Sequence, residues 1–291
     1  MPASAAQALA GLARIRPDGW LATPMPDDPG ALLNRAREAL EAERPGWAGR
    51  LRLLSSRYTA AVFAVSDQYG QRILKLHADP AAFAGETLAY ELLTGTAPVP
   101  HLYAESERSL SLLLEYLPGT ADWSDTRMPG VLVEWVAAVH TAALRLLRYA
   151  VEALAGFSVG RLLTAPAPAW IRDETAWCDV VAAHVDAYGS DLVPLGHLDL
   201  KPDHLRSRAG GEVVLFDVET VRPDVTGLID VVTLPAVLRQ AGRQTAPDEV
   251  VELYVGATTA LGGRWTTRSL RGALRAYAAA TGLDSLHGLT D

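Results

Sequence analysis

The chain has 291 residues, of which 49% are hydrophobic and 21% charged, so it can bury a core as one large domain or two joined lobes, and its composition is not that of a disordered protein. Its net charge of −8, without any block of Lys or Arg, argues against a nucleic-acid partner and leaves a neutral partner or a cationic substrate. No run is long enough to span a membrane, the N-terminal Met-Pro-Ala-Ser-Ala-Ala run lacks the charged start of a secretory signal, and the lone Cys178 can form no internal disulfide; together these predict a cytoplasmic protein.

Residues 1–46 read as a polar, Pro-punctuated extension with a helix near Ala31 to Glu43, whose Leu32, Leu33 and Leu40 lie on one side. Short alternating runs then predict strands over Leu51 to Ser55, Ala60 to Ser66 and, after an Asp67-Gln68-Tyr69-Gly70 turn, Arg72 to His77. An Asp79-Pro80 start introduces a helix through about Leu93. Val99 to Tyr103 and Ser109 to Tyr116 supply two further strands before a Leu117-Pro118-Gly119 break. Beyond it the periodicity is helical over Val131 to Leu147, Glu174 to Tyr188, Leu228 to Gln240, Asp248 to Leu261 and Thr267 to Ala280. The expected class is α+β, with a five-stranded antiparallel sheet and one helix over 47–117 and a mainly helical part over 118–291.

Two segments carry the chemistry: Gly196-His197-Leu198-Asp199-Leu200-Lys201-Pro202-Asp203-His204, and Val213-Val214-Leu215-Phe216-Asp217-Val218-Glu219. They resemble the catalytic loop and metal strand of the aminoglycoside phosphotransferase and choline kinase-like family, which read His-x-Asp-x-x-x-x-Asn and Ile-Asp-Phe/Trp-Glu. The loop is also similar to the His-Arg-Asp-Leu-Lys-Pro-Glu-Asn run of Ser/Thr protein kinases. The resemblance implies a protein-kinase-like two-lobed fold that uses ATP, or GTP, with Mg2+.

In that frame Asp199 takes the proton of the acceptor hydroxyl, Lys201 stabilises charge on the transferred group, and Asp217 holds the metal. Glu219 either reaches the metal or pairs with Arg222. His204 stands where the family has its Asn and is the third candidate metal ligand; because an imidazole nitrogen suits Mg2+ less well than an amide oxygen, it either coordinates weakly, binds through a water or does not ligate. On the third strand Lys75 would meet the nucleotide phosphates, anchored by Glu86 on the following helix. Lys75 and Lys201 are the only lysines in an Arg-rich chain, which strengthens both assignments. Ser55 and Ser56, in a loop without the protein-kinase glycines, either donate to phosphate or form an ordinary hairpin turn. Glu115 to Leu117 would meet the purine through backbone groups. His140, His197 and Asp230 match structural positions of the family, Asp230 as the residue that caps the next helix and braces the loop.

The acceptor stays open at this level. A small-molecule hydroxyl, as on an antibiotic or other natural product, fits the family; a Ser/Thr side chain of a peptide precursor, phosphorylated before dehydration, is the alternative, and a non-catalytic pseudokinase a third. Acidic residues of the Trp170 to Asp179 segment either line a cationic substrate or form a helix N-terminus. No Gly-x-Gly-x-x-Gly turn or P-loop occurs, so dinucleotide-binding and P-loop readings lack their motifs.

Overall fold

A computed structural model describes residues 25–57, 59–145, 158–223, 227–283 and 288–289. The backbone forms two compact units. Of the described residues, the first holds those through Thr94, Val99–Gly119 and Ser207–Glu219, and the second holds those of Gly95–Pro98, Thr120–Arg206 and from Thr220 onward. The segment Ser207–Glu219, which the sequence division assigns to the helical part, thus groups with the sheet.

In the first unit helix α1 (Pro29–Glu43) begins at Asp28, whose carboxylate accepts the Gly30 and Ala31 N–H groups at 3.1 and 2.9 Å. This N-cap, with Pro29 at the first helical position, satisfies donors that the helix leaves open. Strands β1 (Arg50–Ser56), β2 (Ala60–Asp67), β3 (Gly70–His77), β4 (Leu102–Ser106) and β5 (Ser111–Glu115) form one antiparallel sheet in the order β1-β2-β3-β5-β4. Helix α2 (Pro80–Leu93) joins β3 to β4.

Strand alternation assigns the faces. Ala61, Phe63, Val65, Leu74 and Leu76 join Leu32, Ala36, Ala39 and Leu40 of α1 in one core, and each fully buried leucine contributes about 1.5–3 kcal/mol. The odd positions of β3, Ile73, Lys75 and His77, take the other face. The observed β4 begins at Leu102 where the sequence predicts Val99, because Pro98 and Pro100 supply no N–H to a ladder.

In the second unit the helices are α3 (Met128–His140), a short α4 (Val159–Leu162), α5 (Glu174–Tyr188), α6 (Leu228–Gln240), α7 (Pro247–Ala260) and α8 (Thr267–Thr281). The sequence did not predict α4. Helix α3 starts earlier than expected, with Pro129 in its first turn, and stops at His140; a 3-10 turn over Ala142–Arg145 follows. The predicted continuation to Leu147 lies outside the described residues. Helix α5 is capped by Asp173, which accepts from Thr175 and Ala176 N–H at 2.9 and 3.1 Å, so this carboxylate of the acidic segment serves a helix N-terminus. Two short strands, β6 (Leu195–Gly196) and β7 (Arg222–Pro223), pair antiparallel. No helix among the described residues is long and apolar enough to cross a membrane.

Candidate active site

The predicted site residues divide between the two units. In the first, Lys75 sits mid-β3, paired in register with Val62 and Leu112, and is buried. Its ammonium lies 2.8 Å from Glu86, 2.8 Å from Glu219 and 3.2 Å from Asp217. Burial opposes the charged lysine, but the three carboxylates outweigh it and raise its pKa well above the ordinary value. Burial likewise pushes Glu86 up, yet Lys75 first and the His77 hydrogen bond next bring it down to about 2. Lys75 and Glu86 are therefore both ionised at neutral pH.

Glu86 comes from the middle of α2, and His77 places Nε2 at 2.9 Å from its Oε2. Ligand atoms of His77, Glu86 and Glu219 lie within 4.8 Å of one another, but the Lys75 ammonium already takes the Glu86 and Glu219 oxygens, so a cation holds the centre of this group. Asp217 and Glu219 differ from Glu86 in access: their side chains are 28% and 30% exposed against 1%. Asp217 has φ 64°, a left-handed conformation that costs a non-glycine residue about 1–2 kcal/mol. Positive φ at such a residue is a feature found at functional sites. Glu219 pairs with Lys75; the alternative pair with Arg222 lies outside the described side chains.

Ser55 and Ser56 end β1, opposite Val62 and Ala61, with exposed side chains beyond a bulge at Leu54. The loop that follows is tight, since Arg57 N–H donates to Ala60 O at 2.9 Å. At the end of β5, Glu115 N–H donates to His101 O at 2.8 Å. Its carboxylate accepts two bonds of 2.8 Å from Arg208, which hold its pKa below the usual range. Leu117 lies beyond the last rung of the ladder.

In the second unit Asp199 accepts from Lys201 Nζ at 2.7 Å, with both side chains close to half exposed. Leu198, just before it, has φ 67°. Asp230 of α6 holds this turn: its buried carboxylate accepts His197 N–H at 2.6 Å and Leu198 N–H at 2.8 Å. Two bonds to a charged acceptor contribute about 1.5–3 kcal/mol each, enough to offset one left-handed residue. The Asp230 oxygen that accepts from His197 is also 3.0 Å from His140 Nε2, so that nitrogen carries hydrogen and His140 Nδ1 accepts from Tyr254 OH at 2.7 Å. Burial would raise the Asp230 pKa, but the His140 hydrogen bond and neighbouring histidines leave it lowered. Asp230 thus braces the loop as expected. It does not cap its helix; Gly227 stands at that position, with φ 48° and the His140 ring 3.4 Å from where a Cβ would be.

His197 is fully buried, accepts Asp199 N–H on Nδ1 at 3.3 Å and lies edge-on to Trp135. His204 is buried with its ring 5.9 Å from that of His197. Donor chemistry separates the predicted metal ligands. Asp217 and Glu219 present partly exposed hard oxygens that fit Mg2+; His204 presents a buried nitrogen, which fits it poorly.

Sequence reading missed His77, Arg208 and Tyr254. His77 had a signal, two places after Lys75 on a strand and so on its face. Arg208 and Tyr254 had none, since they meet partners 93 and 114 residues away.

No protein-family model matches the chain, and no curated protein matches it. Among solved structures, an aminoglycoside phosphotransferase from Alicyclobacillus acidocaldarius is similar with a TM-score of 0.51 at 15% identity, over 88% of this chain and 83% of that one. Macrolide 2'-phosphotransferase type I aligns at 17% identity over 92% and 97% with a TM-score of 0.49. A choline/ethanolamine kinase family protein from Mesorhizobium loti aligns at 17% over 90% and 91%, TM-score 0.44. At these identities the likeness is one of fold: the chain has the protein-kinase-like α+β fold found in aminoglycoside phosphotransferases.

Proposed function

We propose that the chain is a phosphotransferase that moves the γ-phosphoryl group of ATP to the hydroxyl of a small-molecule acceptor. The observation that carries this reading is the buried Lys75–Glu86 pair, whose ammonium also meets Asp217 and Glu219. A buried lysine held by a glutamate is what a kinase-like fold uses to grip nucleotide phosphates. The fold shared with the Alicyclobacillus aminoglycoside phosphotransferase supports the small-molecule acceptor.

Catalysis here is positioning and charge. Lys75, kept in place by Glu86, binds the phosphate oxygens. Glu115 and Leu117 mark the backbone that meets the purine, while Ser55 and Ser56 are donors for phosphate at the end of β1. Asp217 and Glu219 are the residues to hold Mg2+, which when bound supplies counter-charge to the phosphates; His204 acts as a buried support of the loop. Asp199 orients the acceptor hydroxyl and takes its proton. Lys201, paired to Asp199 through a half-exposed contact, orients that carboxylate and offers charge to the transferred group.

The test is magnesium- and ATP-dependent transfer to a panel of aminoglycosides, macrolides, choline and Ser/Thr peptides, run beside the Asp199→Asn variant. Transfer to one small molecule that the variant abolishes is the expected result. Transfer to peptides alone would replace the acceptor, and binding of ATP without transfer to any acceptor would favour a pseudokinase.

A further inference from the structure

Lys75 has three N–H donors; it donates to Asp217 and Glu219 and forms an ion pair with Glu86. A bound nucleotide has to take some of these donors. Which carboxylate remains is set by what else holds each one.

Alternation on β3 directs Lys75 and His77 to the same face, toward α2, while Leu74 and Leu76 enter the core shared with α1. One oxygen of Glu86 faces both Lys75 Nζ at 2.8 Å and His77 Nε2 at 2.9 Å. His77 Nε2 is within donor distance of that carboxylate oxygen, and it is the ring nitrogen that would carry hydrogen toward it. The ring is fully buried and meets the Phe83 ring edge-on at 6.0 Å, one turn before Glu86 on α2. The backbone of His77 is fixed as well: its N–H donates to Leu110 O at 2.8 Å, and its carbonyl accepts from Arg35 of α1 at 2.8 Å. Tyr90, one turn after Glu86, is the further buried titratable group there.

We infer that His77 is a positioning residue for the nucleotide site: it holds Glu86 in place, so that Glu86 remains the partner of Lys75 when phosphates and metal draw on the other two carboxylates. The inference deepens the phosphotransferase reading and rests on it for its consequence in nucleotide binding, though the holding of Glu86 can be measured without nucleotide. Without His77, Glu86 keeps the Lys75 ammonium as its partner in place of two.

The chain's two lysines make the test clean. Full-length protein labelled with 13C at lysine Cε gives two lysine signals, and Lys201→Arg assigns them. The His77→Phe variant is expected to shift or broaden the Lys75 signal and to weaken Mg-ATP binding, by calorimetry, about tenfold or more, the equivalent of one charged hydrogen bond. His77→Gln, which keeps an N–H donor, is expected to restore both. Should His77→Phe not fold, His77→Asn, whose amide falls short of Glu86, takes its place. A Lys75 signal and a Mg-ATP affinity unchanged without the donor, or a Gln variant no better than Phe, would overturn the inference. If wild type binds no nucleotide while the Lys75 signal still follows the donor, the positioning stands and the phosphotransferase reading fails.

Discussion

Two lysine–carboxylate pairs, built from the only lysines in the chain, have almost equal lengths and opposite surroundings. Lys75 and Glu86 meet at 2.8 Å with side chains 8% and 1% exposed; Lys201 and Asp199 meet at 2.7 Å with 44% and 42%. The first pair is locked, because the buried Glu86 charge would be stranded without Lys75. The second is screened by water, holds itself weakly, and leaves Asp199 available to a hydroxyl. Equal distance therefore implies neither equal strength nor equal role: the buried pair fixes a charge in space, and the exposed pair leaves the Asp199 carboxylate accessible.

The most direct way to break this contrast is to remove the reactive charge from the exposed pair. Asp199→Asn is expected to lower turnover roughly 10²–10⁴-fold, the usual worth of a positioned base, with the unfolding midpoint unchanged and ATP affinity retained by calorimetry. The buried pair should answer in the opposite currency. Lys75→Met leaves Glu86 uncompensated beside Asp217 and Glu219, and is expected to cost about 3–5 kcal/mol of stability in denaturant titration, besides abolishing ATP binding.

Much of this was legible in sequence. Alternation in Ala60 to Ser66 and Arg72 to His77 gave the central strands, and the loop and strand motifs single out Asp199, Lys201 and Asp217 as candidates. Both lysines stood out by rarity. What was hidden is contact over long separations. Nothing local at Asp217 says that a lysine 142 residues earlier binds it, and no periodicity shows that Arg208 completes Glu115 or that Tyr254 completes His140. Prolines 98 and 100 delayed β4, an effect that apolar alternation alone does not register. The Asp230 carboxylate was read as a helix cap as well as a brace; the structure keeps only the brace, because its oxygens are taken by loop N–H groups and His140.

Acid sharpens the same comparison. Glu86 has its pKa depressed from 4.5 to about 2. The stabilisation this provides is complete above its unfolded value and is lost as pH falls through about 2, a contribution on the order of 3 kcal/mol. Glu86→Gln is expected to be less stable at pH 7 and to lose the part of the acid sensitivity that falls between pH 4.5 and 2, read from midpoints across that range. Asp230→Asn probes a third buried carboxylate that holds backbone, not a lysine. It keeps one acceptor oxygen, so the expected loss is smaller, about 1–3 kcal/mol.

The smallest expected effect decides most about the exposed pair. Lys201→Met removes a contact worth at most about 1 kcal/mol, so its unfolding midpoint should barely differ from wild type. Two further roles then separate. If Lys201 only keeps Asp199 oriented, Lys201→Arg, which retains a donor and a charge, should recover most of the turnover lost in Lys201→Met. If Lys201 meets the transferring phosphoryl group, the broader guanidinium misplaces its charge by an ångström or more, and Lys201→Arg should fall nearly as far as Lys201→Met. A Lys201→Met variant that turned over at the wild-type rate would leave Asp199 to act alone, and the exposed pair would be a surface contact beside the base instead of part of the chemistry.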